Sequence, residues 1–233
     1  MKKIGIIGAM ELEVEELKSQ MEEVCVKEKA SMEFYQGTLN GKEVVVVRSG
    51  IGKVNAAVCT QILVDDFQVE AVINTGVAGS LRAEINIGDI VISTDALQHD
   101  MDATGFGYEP AEVPLMGKKT FEADASLRSL IAETCREVNP EIGVFEGRVV
   151  SGDQFISDGD VKDRLVRMFA PYCTEMEGAA IAQAAWLNQI PFVIIRAISD
   201  KADGSAHMDY SEFEAKAIEH TVRLVEAAAA KLA

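Results

Sequence analysis

Phe192-Val193-Ile194-Ile195-Arg196-Ala197-Ile198-Ser199-Asp200 decides the fold. Its continuous apolar run, entered through Pro191, reads as a strand buried on both faces. Residues 3–9, 71–75, 90–93 and 144–151 read as strands too. Between them the period changes. Val14, Leu17, Met21 and Val24 recur at helical spacing opposite Glu15, Glu16, Lys18, Glu22 and Glu23, which predicts a first helix with a solvated acidic face. Further helices are expected near 53–66, 124–138, 178–188 and 211–232. Residues 34–39 and 43–48 flank Asn40-Gly41, a strong hairpin signal. Apolar strands alternating with helices indicate an α/β sheet covered on both faces. With no repeat, low-complexity tract or linker, one domain over 1–233 is expected. Residues 98–120 stand apart. They lack periodicity and hold Gly105, Phe106, Gly107, Tyr108, Pro110 and Pro114, and a loop of that length usually serves a site or an interface.

The chain has 233 residues, with 22 basic and 38 acidic side chains and a net charge of −16. At 48% hydrophobic and 26% charged, it has the composition of a globular protein rather than a disordered one. Nucleic acid is excluded as a partner by the absence of any Lys/Arg cluster, and an anionic membrane surface would repel the chain. No apolar run approaches the roughly 18 residues of a span. The apolar start, 4–10, runs straight into Glu11 and Glu13 without a small-residue cleavage site. Cys25, Cys59, Cys135 and Cys173 form no CxxC pair. All four are expected to be reduced core thiols in a cytoplasmic protein.

Glycines gather just after the expected strands: Gly8, Gly50, Gly52, Gly76, Gly79 and Gly152. Ligands bind at that end of open α/β sheets, where backbone must approach them closely. Two phosphate motifs fail on inspection. Gly50-Ile51-Gly52-Lys53 lacks the leading Gly and the Ser/Thr of a P-loop, and Asn55 replaces the third Gly of a dinucleotide fingerprint. His99, Asp100 and Asp102 lie close in sequence, but no H-x-x-x-H or H-E-x-x-H spacing supports a metal. Neither a cofactor nor a metal is expected. Five acidic residues draw notice. Glu11 and Glu13, like Glu175 and Glu177, fall at helix starts, where acids complement the helix dipole. Asp200 should sit at the carboxyl end of a core strand, where desolvation favours a protonated carboxyl able to donate. Arg196, inside that strand, needs a carboxylate or ligand partner, because an unpaired buried charge is costly.

Six stretches come in a familiar order: Ile7-Gly8-Ala9-Met10-Glu11-Leu12-Glu13, Ser49-Gly50-Ile51-Gly52-Lys53, Asn74-Thr75-Gly76-Val77-Ala78-Gly79, Ser151-Gly152-Asp153-Gln154-Phe155-Ile156, Glu175-Met176-Glu177 and Arg196-Ala197-Ile198-Ser199-Asp200. Together they resemble the bacterial 5′-methylthioadenosine/S-adenosylhomocysteine nucleosidases of the nucleoside phosphorylase superfamily, along the whole chain. The resemblance implies a three-layer α/β domain whose mixed central sheet is partly barrel-like. It also implies hydrolysis of the bond between adenine N9 and ribose in 5′-thio-adenosine nucleosides, with water as second substrate and no cofactor. Such a reaction needs protonation of a leaving adenine, a stabilised oxocarbenium-like sugar and a base for water.

By that resemblance Asp200 protonates adenine N7, Ser199 orients it, and Glu13 activates water. Glu177 binds the ribose hydroxyls and Met176 packs on the sugar. Phe155 stacks on adenine, and the Ile156 backbone reads its edge. Val77, Ala78 and Gly79 line base and ribose, while Met10, Ile51 and Phe213 complete the walls. Phe106 reaches into a partner's pocket, which implies a homodimer. Val77 and Ser80 depart from the Ser and Gly that relatives often carry. Three alternatives stay open: a phosphorolytic enzyme, a futalosine-type nucleosidase, and a non-catalytic nucleoside-binding protein. The acidic run Glu11-Leu12-Glu13-Val14-Glu15 disfavours the first, since it would repel phosphate. A non-catalytic protein would not need Glu13 and Asp200 together.

Overall fold

The computed structural model describes the backbone of residues 1–202 and 206–233, and all of those side chains except 206–212. β1 (Lys3–Gly8) leads through a 3-10 turn at Glu11–Glu13 into the short helix α1 (Glu15–Ser19). Three antiparallel strands follow: β2 (Glu22–Lys29), β3 (Met32–Leu39) and β4 (Lys42–Arg48). Next come α2 (Lys53–Phe67), β5 (Ala71–Ser80), β6 (Ile90–Gln98) and the short β7 (Phe121–Glu122). The chain continues as α3 (Ala125–Val138), β8 (Val144–Ser151), α4 (Gly159–Phe169), β9 (Cys173–Glu175), α5 (Gly178–Leu187), β10 (Phe192–Asp200) and α6 (Ala206–Leu232).

The sheet closes on itself at one end. β5 pairs with β10, β10 with β6, β6 with β8, β8 with β9, and β9 returns to β5. Parallel and antiparallel pairings mix in this five-strand ring. From β5 the sheet runs open through β1, β4 and β3 to β2 at its edge. This is the mixed, partly barrel-like α/β sheet that the family resemblance implies.

Alternation along the strands accounts for the layers. Ile7, Val45, Val47 and Ile194 pack under α2 and α5 with Cys59, Leu63 and Ile181. Ile4, Ile6, Val44, Val46, Val193 and Ile195 face the other way, against Leu17, Ile131 and Val225 of α1, α3 and α6. A strand whose odd and even residues both meet helices must be apolar throughout. Gly5 marks how closely α2 approaches, since a Cβ there would lie 2.9 Å from Leu63 Cδ1. A third cluster joins Leu81, Leu97, Val150, Ile156, Leu165 and Phe169 around α4.

Several expectations need correction. The first helix ends at Ser19, and Glu22 and Glu23 lie on exposed β2 rather than on an acidic helix face. Cys25 is exposed on that edge strand, whereas Cys59, Cys135 and Cys173 are buried. Gly76 and Gly79 lie within β5 rather than beyond it, because pairing with β10 and β9 carries the strand on to Ser80. α4 and β9 had no expected counterpart. The stretch 98–120 contains one 3-10 turn, Thr104–Phe106, and a single bridge between Val113 and Lys118. Among the described residues, no helix is long and apolar enough to cross a membrane.

Candidate active site

The carboxyl ends of β1, β5, β9 and β10 surround a cavity of about 410 Å³, a size that suits a small organic ligand. Met10, Glu13, Ile51, Val77, Ala78, Gly79, Phe155, Met176, Glu177, Ser199 and Asp200 line it. So do Ala9, Thr174, Glu175 and Arg196, which were not proposed as site residues from the sequence.

A register irregularity positions the end of β10. Ile198 pairs with Ala78 and Asp200 with Gly79, leaving Ser199 as an extra residue. Strict alternation would send neighbours to opposite faces; the bulge lets both Ser199 and Asp200 line the cavity. Asp200 is only 2% exposed. Its Oδ2 accepts from Ser199 Oγ at 3.0 Å and its Oδ1 from the Ala202 N–H at 2.7 Å. Gly79 permits this approach, since a Cβ there would come within 2.8 Å of Asp200 Oδ1.

Glu13 is brought inward by the turn after β1. Its Oε2 accepts from the N–H groups of Ala9 (2.6 Å) and Met10 (2.9 Å), and its Oε1 from Val77 N–H (3.1 Å). The expected acid at a helix start is therefore real, and its side chain does satisfy free amides there. Glu13 is nevertheless 1% exposed and borders the cavity, whereas Glu11 points out to Lys18. Burial raises the Glu13 pKa, against the opposing pull of Arg196 and the three amide bonds. A carboxylate with a raised pKa takes up a proton more readily near neutrality.

Glu175 and Glu177 divide two tasks. Glu175 Oε2 caps α5 by accepting from Glu177 N–H (3.0 Å) and Gly178 N–H (2.8 Å), and it also receives Arg196 Nη2 at 2.5 Å. Ser151 Oγ supports its other oxygen. Glu177 makes no such cap; its Oε1 turns across to the Gly52 N–H at 2.8 Å. Arg196 is the buried cation between them, with Nη2 on Asn74 Oδ1 at 2.5 Å and 3.7 Å from Glu177 Oε2. The carboxylate partner that the sequence demanded for Arg196 is Glu175. With Glu13 and Glu175 nearby, one cation faces three acids. Burial and then the Glu175 charge push the Glu177 carboxyl up to about 7. Gly76 is forced by this crowding: a Cβ there would lie 2.4 Å from both Arg196 Nη1 and Glu13 Oε1.

Three predicted site residues lie off this cavity. Ile156, buried, lines a small neighbouring cavity that shares Gly79, Phe155, Met176 and Asp200. Phe213 is half-buried on α6 and is not among the lining residues. Phe106 is 89% exposed on the Thr104–Phe106 turn, outside the cavity of its own chain. His99, Asp100 and Asp102 belong to no metal-ligand cluster among the described residues.

The sequence profile of the phosphorylase superfamily matches residues 3–230, so fold and site define a member of that class. A 5′-methylthioadenosine/S-adenosylhomocysteine nucleosidase from Halalkalibacterium halodurans is 45% identical over 233 residues, covering 100% of both chains. The crystal structure of the Neisseria meningitidis nucleosidase of that name, in complex with methylthio-immucillin-A, superposes with a TM-score of 0.95 at 38% identity, over 99% of this chain and 100% of that one. A futalosine hydrolase from Helicobacter pylori superposes with a TM-score of 0.91 at 32% identity, over 97% of each. The chain belongs to the 5′-methylthioadenosine/S-adenosylhomocysteine nucleosidase family of the phosphorylase superfamily.

Proposed function

We propose that this protein hydrolyses the N-glycosidic bond of 5′-methylthioadenosine and S-adenosylhomocysteine, releasing adenine and a 5-thio-ribose product. One observation carries the reading: Glu13, Glu177 and Asp200 converge on a single, largely apolar cavity. Asp200, oriented by Ser199 Oγ, donates a proton to adenine N7, which turns a poor leaving group into a neutral one. Phe155 stacks on the base, and the Ile156 backbone reads its edge. Glu177 accepts from the ribose hydroxyls, and the acids around it favour positive charge developing on the sugar. Glu13 takes the proton from water attacking the anomeric carbon, so the proton count balances. Arg196 keeps this acidic cluster together at the base of the cavity.

The same electrostatics favour water over phosphate as the nucleophile. Arg196 is the one cationic side chain lining the cavity among the described residues, and Asn74 and Glu175 already engage it. A phosphate would meet four acidic side chains, Glu13, Glu175, Glu177 and Asp200, around one cation that is already engaged. A second reading, cleavage of a futalosine-type nucleoside, draws support from the similarity to the Helicobacter hydrolase.

The test is adenine release from methylthioadenosine, S-adenosylhomocysteine and a futalosine-type nucleoside, with neither phosphate nor metal added. The first two should be cleaved in buffer alone. Asp200→Asn and Glu13→Gln should each lower kcat by about 10² to 10⁴-fold, with Glu13→Gln still binding nucleoside. Turnover that begins only on adding phosphate would establish the phosphorolytic alternative. Binding without turnover by the unaltered chain would establish a non-catalytic protein.

We also infer a homodimer. Ile51 just before α2 and Val54 and Val58 in its first turns, with Trp186 and Leu187 at the end of α5, leave apolar side chains exposed. α2 and α5 pack side by side and are tied by Gln61 and Asn188. Adjoining apolar patches of this kind mark interaction surfaces. Phe106, exposed on its turn, is the residue that would reach the partner's cavity.

A further inference from the structure

Outside the cavity, three segments distant in sequence are joined by a closed ring of polar contacts. Lys53 Nζ donates to Asp100 Oδ1 at 2.6 Å. The Asp153 N–H donates to Asp100 Oδ2 at 3.0 Å. The Lys53 N–H donates to Asp153 Oδ1 at 2.9 Å. Each residue touches the other two, and both oxygens of Asp100 are used. Lys53 Nζ also reaches Gln98 Oε1 at 3.0 Å. The Lys53 and Asp100 side chains are each 18% exposed. Burial works against the charge of Asp100, but the Lys53 bond and the Asp153 amide outweigh it and hold the carboxyl below its ordinary pKa. An ion pair shielded to this degree, closed by backbone amides, is geometrically fixed in a way exposed pairs are not.

What the ring joins gives it a role. Lys53 opens α2 next to Gly52, whose N–H holds Glu177 Oε1 at 2.8 Å. Asp153 lies two residues before Phe155, which lines the cavity while remaining half-exposed. The loop between them is fixed at its far end by Ile156, buried among Leu165, Phe169 and Leu81. At its near end Gly152 is pressed against the His99 ring, where a Cβ would come within 2.4 Å of Cε1. Asp100 roots the segment that runs on to Phe106.

We propose that Lys53, Asp100 and Asp153 are positioning residues for nucleoside binding, whose ring sets the Phe155 loop and the Gly52 amide at a fixed separation across the cavity. The ring touches neither of the groups assigned to proton transfer. Its loss therefore weakens the hold on the base and ribose more than it slows the bond-breaking step. The proposal rests on reading the cavity as a nucleoside site.

The experiment compares kcat and KM for methylthioadenosine, together with the Kd for adenine, in the unaltered protein and in Lys53→Met, Lys53→Arg and Asp100→Asn. In Asp100→Asn the new amide must face one of the two donors, so a bond is lost at almost unchanged volume. Lys53→Met and Asp100→Asn should raise KM and the adenine Kd by about tenfold or more, with kcat within about threefold of the unaltered value. Lys53→Arg, which keeps the charge, should recover most of the loss. A merely structural role would lower the melting temperature and the active fraction without this split. Unchanged KM and Kd in Lys53→Met would overturn the proposal, as would a fall in kcat alone. Should Asp100→Asn not fold, Lys53→Met decides, since it removes only an ammonium at a helix start. Should the unaltered protein cleave no nucleoside, the functional reading fails, and the adenine Kd series still tests the ring.

Discussion

Glu177 has the Arg196 guanidinium 3.7 Å away and the Gly52 amide on its Oε1, both of which favour its charged form. Burial and the adjacent Glu175 outweigh them, so its carboxyl titrates at about 7 rather than 4.5. The sign of the stability effect follows. Between those values the folded protein holds a proton that the unfolded chain has released, so stability falls as pH rises through this window, by at most about 1.4 kcal/mol per pH unit. Glu177→Gln removes the group. We expect the melting temperature of the unaltered protein to drop more between pH 5 and pH 8 than that of the variant. Parallel curves would show that Glu177 does not carry a raised pKa. Glu13 adds to the same trend in both proteins, since its pKa is also raised. Not every residue here was equally legible. Asp200 could be placed because it ends an apolar run, whereas Glu13 reads only as a helix-start acid and is singled out by the resemblance. Glu175 was passed over as a helix-start acid, and it is indeed a cap for α5. Its second role, on Arg196, depends on β9 pairing with β5, and a three-residue strand has no periodicity to read.

Among the elements, β5 belongs to both parts of the sheet: it pairs with β1 in the open portion and with β10 and β9 in the ring. Gly76 sits where it passes between the Arg196 and Glu13 side chains. Gly76→Ala should cost about 1 to 3 kcal/mol of stability through overpacking and lower kcat by more than tenfold, because the displaced atoms are Glu13 Oε1 and Arg196 Nη1. Denaturant unfolding and initial rates on the same preparation check both halves; full activity in Gly76→Ala would mean that the pair tolerates displacement. Strand β10 was readable for a reason that does not extend to β2. Both faces of β10 are buried, so its apolar run is unbroken. All of β2 is exposed, and with no buried face to enforce alternation, Val24 merely continues the helical spacing of Val14, Leu17 and the buried Met21 that precedes the strand. Charges along β2, including Glu22, Lys27 and Lys29, also suit a sheet edge that must not pair with other chains. The bulge at Ser199 left no trace in the sequence, because a bulge is a property of two strands and their register.

The exposed apolar side chains of α2 and α5 and the 89%-exposed Phe106 are the surface we assign to a second copy. Sedimentation equilibrium should return about twice the 25.2 kDa of the chain, and Phe106→Ala should raise KM with little change in mass. A fully active 25.2 kDa particle would remove both the dimer and the role of Phe106. The net charge of −16 was informative in what it excluded, though not in what it assigned. Glu15, Glu22 and Glu23 are solvent-facing acids on two different elements, and they support solubility. Glu13, Glu177 and Asp200 are buried and line one cavity, set apart from the solvated acids.

The closed ring bears on how this protein is made. β5 and β10 pair at positions such as Thr75 and Ile195, so the ring stays open until the last strand has been synthesised. Long-range pairings of this kind form late. A nascent chain that has passed Glu177 but not yet Asp200 holds the proposed sugar-binding carboxylate and the proposed base, yet lacks both the proposed proton donor and the strand that seals the barrel. A chain cut short before Asp200 should therefore show no partial activity, because the open ring leaves the cavity unbuilt.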